Sequence, residues 1–473
     1  MFNELQPYKT YAKLVDWLPA TPSHWNRARF RNILQESDDR ASDGSEQLLR
    51  VSQYTGVTER RGPDGGSDSR AATLVGYKRV RPDQLAVNIM LAWNGSLGVS
   101  LFQGIVSPAY CVYKFPGAAL PWYYHHLLRS PEYKARIKSL SRGVVESRLR
   151  LYTADLFGME ALQPPLNEQT AIVKYLRHAH ARIDRAIAAK RRLIALLEEQ
   201  KQAVIHQAVT RGLEPSVALK DSGIPWLNGI PAHWETIRLK WLISAGPTNG
   251  ISPQVTENGD LETFSLSAIR EGILDVQFSD RKHVPRSAVA RISDYLLDEG
   301  DVVLVRGNGN LRIVGRAAEV TAARPDAIYP DLIIRIRPIP TVNPSYLVMA
   351  INSPAARSQI EIAARTAVGT FKVNGETVKN LKLVVPDLQE QLAIVEHCNV
   401  RTRTIRSSIQ TALREIDLLR EFRTRLTSDV VTGQIDVREI AATLPTLTDD
   451  ALVAGADMSD EDDEVETVVL EDA

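Results

Sequence analysis

The stretch PPLNEQTAIVKYLRHAHARIDRAIAAKRRLIALLEEQKQAVIHQAVTRGL, residues 164–213, has no proline or glycine between Pro165 and Gly212. It therefore predicts a single helix of roughly 45 residues, which would be about 65–70 Å long at the rise of an α-helix. A helix of that length needs a partner, because the core of one globular domain rarely accommodates it.

The chain itself contains a matching stretch, PDLQEQLAIVEHCNVRTRTIRSSIQTALREIDLLREFRTRLTSDVVTGQI, at residues 386–435. The two align without gaps at an offset of 222, so that Glu168-Gln169 falls on Glu390-Gln391. Apolar residues recur on one face of both at the spacing of a helix–helix seam. The predicted seam residues are Ile183, Ile187, Ile194, Leu197 and Val204 in the first helix and Ile405, Ile409, Ile416, Leu419 and Leu426 in the second. The helices are thus predicted to pair, either parallel or antiparallel.

A second repeat precedes each helix. VDWLPATPSHW at 15–25 matches IPWLNGIPAHW at 224–234 at an offset of 209, which aligns His24-Trp25 with His233-Trp234. Two repeats at nearly the same offset indicate that the whole chain is a duplication. Each copy contains a Pro-x-His-Trp segment, a variable domain and a long helix.

The variable domains follow one plan. β-Branched, alternating segments predict strands in both. A helical segment that starts at Pro121 has its equivalent at Pro344. The predicted fold class is therefore mixed α/β, with two globular domains, two long paired, coiled-coil-like helices that separate them, and an internal pseudo-twofold duplication.

The charges are distributed unevenly along the chain. The 57 basic and 57 acidic residues balance, but twelve of the acidic ones lie in residues 439–473, which contain no Lys or Arg. Residues 1–438 thus have 57 basic against 45 acidic residues, a net charge of +12. A basic folded part permits a polyanionic partner such as nucleic acid. The acidic end of the chain is predicted to be disordered.

Compartment signals are few. Two isolated cysteines are typical of a reducing compartment. The first residues lack the apolar segment of a signal peptide, and no apolar run is long enough to span a membrane. We therefore expect a cytoplasmic protein without a membrane partner.

The sequence contains no recognised catalytic or cofactor-binding motif. No phosphate-binding or dinucleotide-binding glycine loop and no nucleophile elbow is present. Asn343-Pro344-Ser345-Tyr346 is similar to the Asn-Pro-Pro-Tyr motif of amino-group methyltransferases, but its third residue differs and no glycine-rich cofactor loop accompanies it. His125-His126 and the pair His178 and His180 lack a third metal ligand at a recognised spacing. No catalytic residue, metal site or bound cofactor is predicted.

Reading of nucleic-acid bases needs Arg, Lys, Asn and Gln on loops above a basic surface. Loops in both variable domains contain such residues. The DNA-binding candidates are Arg60, Arg61, Lys78, Asn94, Arg142, Arg148 and Arg150 in the first domain and Arg306, Asn308, Asn310, Arg312, Arg365 and Lys372 in the second. Each alone is an ordinary surface residue, and only the duplicated layout favours them.

Taken with the duplication, the motifs quoted above resemble a known family. The two long helical stretches are similar to the conserved helical regions of the specificity subunit of type I restriction–modification enzymes. WLPATPSHW and WLNGIPAHW resemble the segments that open that family's target-recognition domains. The resemblance covers residues 8–435 and does not include the acidic end. Within it, the second helix departs from the first at Cys398-Asn399-Val400.

The resemblance implies a function. Each variable domain would read one half of a split double-stranded DNA target, and the helices would set the spacer between the halves and dock two methylation subunits. Two motor–nuclease subunits would join for restriction. S-adenosylmethionine and ATP with magnesium are expected only on those partner subunits, and the specificity subunit itself would have no catalytic residues.

The implied domain organisation has six parts. They are a target-recognition domain at 1–163, a first spacer helix at 164–212, a linker with the segment that opens the second copy at 213–234, a second target-recognition domain at 235–385, a second spacer helix at 386–435 and an acidic, disordered tail at 436–473. Two alternatives stay open at this point: a coiled-coil scaffold with two protein-binding domains, and a DNA methyltransferase in its own right.

Overall fold

A computed structural model describes residues 5–60, 73–117, 119–144, 149–224, 227, 229–257, 259–270, 272–367 and 369–445. The chain divides into two compact units. Of the described residues, those up to 191 and those from 413 onward form the first unit, and those from 192 to 412 form the second. Each unit therefore contains one variable domain and part of each long helix.

The strands are short. Those of the first unit are β1 (Tyr11–Ala12), β2 (Thr21–Pro22), β3 (Asn26–Arg29), β4 (Gln35–Ser37), β5 (Leu49–Ser52), β6 (Gly56–Glu59), β7 (Lys78–Val80), β8 (Leu85–Val87), β9 (Leu97–Val99), β10 (Gly104–Val106), β11 (Cys111–Lys114) and β12 (Glu160–Gln163). Those of the second are β13 (Leu219–Lys220), β14 (Ile230–Pro231), β15 (Glu235–Arg238), β16 (Ile243–Asn249), β17 (Leu261–Thr263), β18 (Ile269–Arg270), β19 (Ile273–Leu274), β20 (Lys282–Val284), β21 (Leu296–Leu297), β22 (Val302–Val305), β23 (Gly307–Asn308), β24 (Ala317–Glu319), β25 (Arg324–Ile328), β26 (Ile333–Pro338), β27 (Arg365–Ala367), β28 (Thr370–Lys372) and β29 (Lys382–Val385).

The helices differ greatly in length. In chain order they are α1 (Pro121–Leu128), α2 (Pro131–Leu140), α3 (Thr153–Gly158), α4 (Leu166–Arg211), α5 (Pro344–Asn352), α6 (Pro354–Ala363), α7 (Gly375–Asn380), α8 (Leu388–Val431) and α9 (Arg438–Thr443). With 46 residues in α4 and 44 in α8, the prediction of two long helices is confirmed. A left-handed glycine follows each, Gly212 with φ 72° and Gly433 with φ 74°, as is common at helix C-termini.

The main sheets of the two units share one strand order. The first unit has β4-β11-β8-β9, and the second has β16-β26-β22-β24 with β19 and β18 added at one edge. Neighbouring strands in the shared part are antiparallel in both units. A helix pair, α1 with α2 or α5 with α6, follows the sheet along the chain. The predicted mixed α/β class with an internal duplication is therefore confirmed.

Within the first unit the two long helices run antiparallel. His180 Nε2 lies 2.8 Å from Thr427 Oγ1, Arg423 donates to Asp184 at 3.0 Å, and Lys190 pairs with Glu415 at 2.6 Å. Residue numbers rise along α4 as they fall along α8, so the direction that the sequence left open is decided by these contacts.

The predicted seam residues vary in burial. Fully buried are Ile183, Ile187, Ile405, Ile409, Ile416 and Leu426. Half-buried are Ile194, Leu197, Val204 and Leu419. On another face of α4, Leu193 and Leu196 are exposed. This one-sided burial is what a helix–helix seam requires, and the contact of each residue across it stays a prediction.

The expected disorder of the acidic end is wrong for residues 436–445. Asp436 N donates to Gln6 O at 2.8 Å, and the helix α9 follows at once. Val437 and Ala441 are buried in the same core as Trp25. Apolar residues at the start of this segment pack against the first unit, and composition averaged over the whole tail concealed them. Residues 446–473 lie outside the described part of the chain.

Candidate DNA interface

One carboxylate joins the first Pro-x-His-Trp segment to α4. Glu168, in the first turn of the helix, accepts a hydrogen bond from Trp25 Nε1 at 2.9 Å. Its other oxygen lies 2.7 Å from His24 Nε2. Trp25 is buried and Glu168 is 3% exposed, so the contact is shielded from water. Charge-assisted hydrogen bonds of this kind are stronger than neutral ones. The two repeated motifs therefore meet at one anchor.

The second copy has the same anchor. Glu390 accepts from Trp234 Nε1 at 2.8 Å and lies 2.9 Å from His233 Nε2. Asp387 accepts from Glu390 N at 2.9 Å, which caps the start of α8. A full capping box would return the Glu390 carboxylate to the Asp387 amide. Here that carboxylate binds the Trp-His pair instead.

The next residue of each helix attaches it to the variable domain. Gln169 accepts from Leu120 N at 3.0 Å and donates to Pro164 O at 2.9 Å. Gln391 accepts from Asn343 N at 2.8 Å and donates to Pro386 O at 2.9 Å. Both glutamines are buried. Each glutamine thus ties the start of a long helix to the start of the domain's own helix pair.

The described end of the chain completes the first anchor. Arg438 lies 3.4 Å from Glu168 and pairs with Asp436 at 2.6 Å. Its guanidinium sits 5.0 Å from the centre of the Tyr8 ring, and Tyr8 donates to Glu168 at 3.1 Å. Burial, together with the nearby Glu168 charge, raises the pKa of the Tyr8 phenol, which keeps it a donor. Residues from both ends of the described chain therefore surround one buried carboxylate.

The first-domain candidates are not gathered in one place by the described contacts. Lys78, in β7, is buried and lies 3.8 Å from Asp38, and this position disfavours a phosphate contact. Asn94 lies on the loop between β8 and β9, where its side chain accepts from Ser96 N at 3.1 Å. Arg60 is half-buried. Arg61 and Arg148 lie outside the described residues.

Two arginines of the first domain do meet. Arg142 and Arg150 form an antiparallel bridge through their backbones. Both are exposed, and Arg142 pairs with Asp155 at 2.7 Å. This late hairpin presents basic side chains to solvent.

The second-domain candidates are brought together by a small sheet of order β23-β28-β27. Gly307 pairs with Lys372, and Lys372 pairs in turn with Arg365. Arg365 falls on Arg142 in the duplication at an offset of 223, so the late hairpin recurs in both domains.

The other candidates of this domain lie on the loop between β22 and β24. Asn308 accepts from Asn310 N at 2.7 Å, and Asn310 accepts from Arg312 N at 3.0 Å. Arg306 donates to Asp331 O at 3.2 Å. Asn310 and Arg312 are exposed. The loop is thus folded by its own asparagine side chains, with Arg312 directed to solvent.

A histidine cluster in the first unit is a finding that the sequence did not predict. The rings of His125 and His126 are centred 5.0 Å apart, and those of His126 and His180 5.4 Å apart. Burial, with nearby Arg129 and Arg423 as lesser causes, lowers the pKa of His126 to about 3, and burial likewise lowers the pKa of His125 and His180. These rings are therefore neutral, with His125 buried and His126 and His180 half-buried beside it. In the described part of the chain, no group of three or more His, Cys, Asp or Glu is arranged to hold a metal ion.

The methyltransferase-like motif is a helix start. Asn343 caps α5 by accepting from Tyr346 N at 3.0 Å, and Pro344 occupies the first turn. Tyr346 is buried and donates to Val384 O at 2.8 Å. These roles account for three of the four residues of the motif without any chemistry.

The anchor residues recur in the sequence, but their contact cannot be predicted from that recurrence. Glu168-Gln169 and His24-Trp25 recur separately at offsets of 222 and 209, but their contact with each other appears only in the structure.

None of the helices in the described ranges combines the length and apolarity that a bilayer span requires.

Comparisons with known proteins bear on these features. No family model matches the chain. It is 25% identical over 383 residues to the type I restriction enzyme EcoKI specificity subunit of Escherichia coli (strain K12). This alignment covers 76% of this chain and 79% of that protein. It is 24% identical over 368 residues to the StySPI specificity subunit of Salmonella potsdam, which covers 74% of this chain and 76% of that protein.

A solved structure extends the likeness to the fold. One chain, from work on the complex assembly and conformational transition of the type I R-M system, matches with a TM-score of 0.59 at 16% identity. The match covers 88% of this chain and 100% of that one. The resemblance to the specificity subunits of type I restriction–modification enzymes is confirmed.

Proposed function

We propose that this chain is the DNA-specificity subunit of a type I restriction–modification complex. Each variable domain reads one half of a bipartite target in double-stranded DNA. The chain supplies no catalytic residue of its own, and methylation and restriction belong to partner subunits, two methylation subunits and two motor–nuclease subunits. S-adenosylmethionine and ATP with magnesium are bound by those partners.

One observation carries the proposal: two domains with the same sheet order are fastened to their helices by the same Glu-Gln anchor. A scaffold needs no duplicated reader, whereas a bipartite DNA site calls for two. Readers that are linked in one chain combine their affinities through effective concentration. The distance between their half-sites then becomes a geometric property of the connection, as in dimeric DNA-binding proteins.

The residues assigned to DNA in this proposal fall into two groups. The late hairpins (Arg142 and Arg150; Arg365 and Lys372) supply basic side chains for phosphate contact, which positions the protein and weakens with added salt. The loops with Asn94 and with Asn308, Asn310 and Arg312 supply the reading of bases. Arg60, Arg61, Arg148 and Arg306 remain phosphate candidates, and Lys78 is the weakest because of its burial.

The deciding experiment maps adenine methylation in a host that expresses this chain with its methylation subunit. A split motif is the expected result. Exchange of residues 26–163 for those of another specificity subunit is expected to change one half of the motif. The reciprocal exchange of residues 235–385 is the matched control and is expected to change the other half. A change in both halves after either exchange would contradict independent readers.

The spacer role has its own test. Four residues, about one helical turn, are inserted after Ala188. Because the helices are antiparallel here, a matching insertion after Leu418 keeps them in register. The double insertion is expected to lengthen the unread spacer and preserve both half-sites. Unchanged spacing in an active complex would show that the helices do not set the distance.

A further inference from the structure

The two domains have equivalent loops at the same place in the sheet. In the first, residues 88–96 join β8 to β9, and in the second, residues 306–316 join β22 to β24. Each loop therefore connects the same two strands of the shared sheet order. A glycine with positive φ lies near the end of each, Gly95 at 103° and Gly315 at 77°.

In the first domain one arginine holds this loop. Arg129, directly after α1, donates through Nη1 to Gly95 O at 3.0 Å and to Leu97 O at 2.7 Å. The same guanidinium donates to the turn between β5 and β6, with the shortest bond to Tyr54 O at 2.7 Å. Gln53 O accepts at 2.9 Å and Ser52 O at 3.3 Å. A single planar group thus binds five carbonyl oxygens from two loops and the strand residues that adjoin them.

In the second domain a different arginine holds the equivalent loop. Arg357, in α6, donates through Nη2 to Arg312 O at 3.1 Å and to Leu311 O at 3.3 Å. Its Nη1 donates to Val314 O. A Cβ atom on Gly315 would lie 2.7 Å from two side-chain carbons of Ile360 and 3.2 Å from this Nη1, so the glycine allows the loop to approach α6 closely.

The two arginines are not equivalent in sequence. The duplication aligns Ser130-Pro131 with Ser353-Pro354, which puts Arg129 on Asn352 and Lys134 on Arg357. Asn352 itself bonds both backbone groups of Ala317, at the end of the loop. In both domains this loop is therefore hydrogen-bonded to an arginine of the helix pair, but the arginine stands at a different position in each.

We propose that Arg129 and Arg357 are positioning residues, each holding the backbone of the loop through which its domain reads bases. The inference rests on the proposed function and adds the location of the reading loops and what holds them. Discrimination between base pairs depends on donors and acceptors held within fractions of an ångström. A guanidinium suits this task because its donors form a rigid planar fork.

The test uses the complex with its methylation subunits. Arg129→Gln and Arg357→Gln are made singly, with Arg31→Gln and Arg238→Gln as controls at exposed arginines. Methylation rates are measured on duplexes with the cognate target and with each single-base change in either half-site. The domain exchanges above assign the half-sites to the domains.

Arg129→Gln is expected to lower discrimination about tenfold in the first domain's half-site and to leave the other half-site unaffected. Arg357→Gln is expected to do the reverse, and Arg129→Lys to restore part of the loss. The salt dependence of binding is expected to stay unchanged, since the phosphate contacts remain.

Three results would overturn the inference. They are unchanged discrimination, equal losses at both half-sites, and a uniform loss of activity on cognate and altered targets together with a lower melting temperature. The last is what a merely structural arginine would give. A wild-type complex that recognises no bipartite site would refute the proposed function itself, and this inference with it.

Discussion

The two anchors contain equivalent glutamate, histidine and tryptophan residues in different surroundings. The Glu168 side chain is 4% exposed and also meets Tyr8 and Arg438, whereas that of Glu390 is 27% exposed. A carboxylate that is taken out of water must be compensated by more hydrogen bonds and opposite charge.

The difference follows from the segments that pack against each anchor. At the second copy, the continuous segment 213–224 leads from α4 into the repeat. At the first copy the corresponding place is filled by two separate pieces, residues 5–14 and 432–445. The bridge between Gln6 and Asp436 joins those pieces. Duplicated sequence thus gives a common anchor, while chain connectivity decides how deeply it is buried.

Removal of the two carboxylates is expected to have the largest effect. Glu168→Ala leaves Trp25 Nε1 and Tyr8 without an acceptor in a buried site, so we expect a loss of about 3–5 kcal/mol in the free energy of unfolding. Glu390→Ala is expected to cost about 1–2 kcal/mol, since the Glu390 side chain is 27% exposed and water can replace its carboxylate as the acceptor for the buried Trp234. Urea titrations measure both, with the exposed Glu396→Ala as the control. Equal losses would remove the distinction between the anchors.

Acid is expected to destabilise the first unit next most strongly. The rings of His125, His126 and His180 stay neutral in the folded chain because burial lowers their pKa, to about 3 for His126. The unfolded chain takes up these protons at about pH 6.5. Stability is therefore fully present above that pH and is lost as the pH falls below it towards the folded pKa.

Between pH 7.5 and 5.5 each buried histidine is expected to cost roughly 1 kcal/mol. His126→Gln removes one titrating group and is expected to flatten the pH dependence by that amount. His397→Gln, at an exposed position of the second unit, is the matched control. An identical slope for wild type and His126→Gln would contradict the neutral cluster.

The smallest effect is expected at the end of the chain. Arg438→Ala removes a half-exposed ion pair with Glu168 and the contact with Tyr8, so solvent screening limits the loss to about 1 kcal/mol. The melting temperature should fall by about 2–4 °C. Arg438→Lys keeps the charge, loses the planar fork and is expected to lie in between. No change in the melting temperature of either variant would mean that residues 436–445 do not stabilise the first anchor.

Much of the fold could be predicted because it depends on patterns among residues that are close together in the sequence. The absence of helix breakers between Pro165 and Gly212 indicates one long helix, and the recurrence of Glu168-Gln169 as Glu390-Gln391 indicates a duplication. The pairing direction could not be predicted, because an apolar stripe packs equally well in either orientation. It is decided by pairs such as Asp184 with Arg423, which are far apart in sequence.

The candidate interface was harder to predict. Candidates such as Asn310 and Arg312 can be chosen by residue type alone. Lys78 was chosen in the same way, but it lies in β7 and is buried. The roles of Arg129 and Arg357 could not be predicted, because both residues act on backbone carbonyl groups, which any residue possesses. A hydrogen bond to a carbonyl leaves no mark in the sequence of the loop that accepts it.

The sequence alone determined the duplication, the long helices and the resemblance to specificity subunits, since periodicity and repeats are properties of neighbouring residues. The tertiary structure decided the antiparallel pairing in the first unit, the meeting of Glu168 with His24 and Trp25, and the fastening of each loop by an arginine. Those contacts join residues that are 32–247 positions apart. Their geometry arises only when the chain has folded, because it depends on how separate elements pack in space.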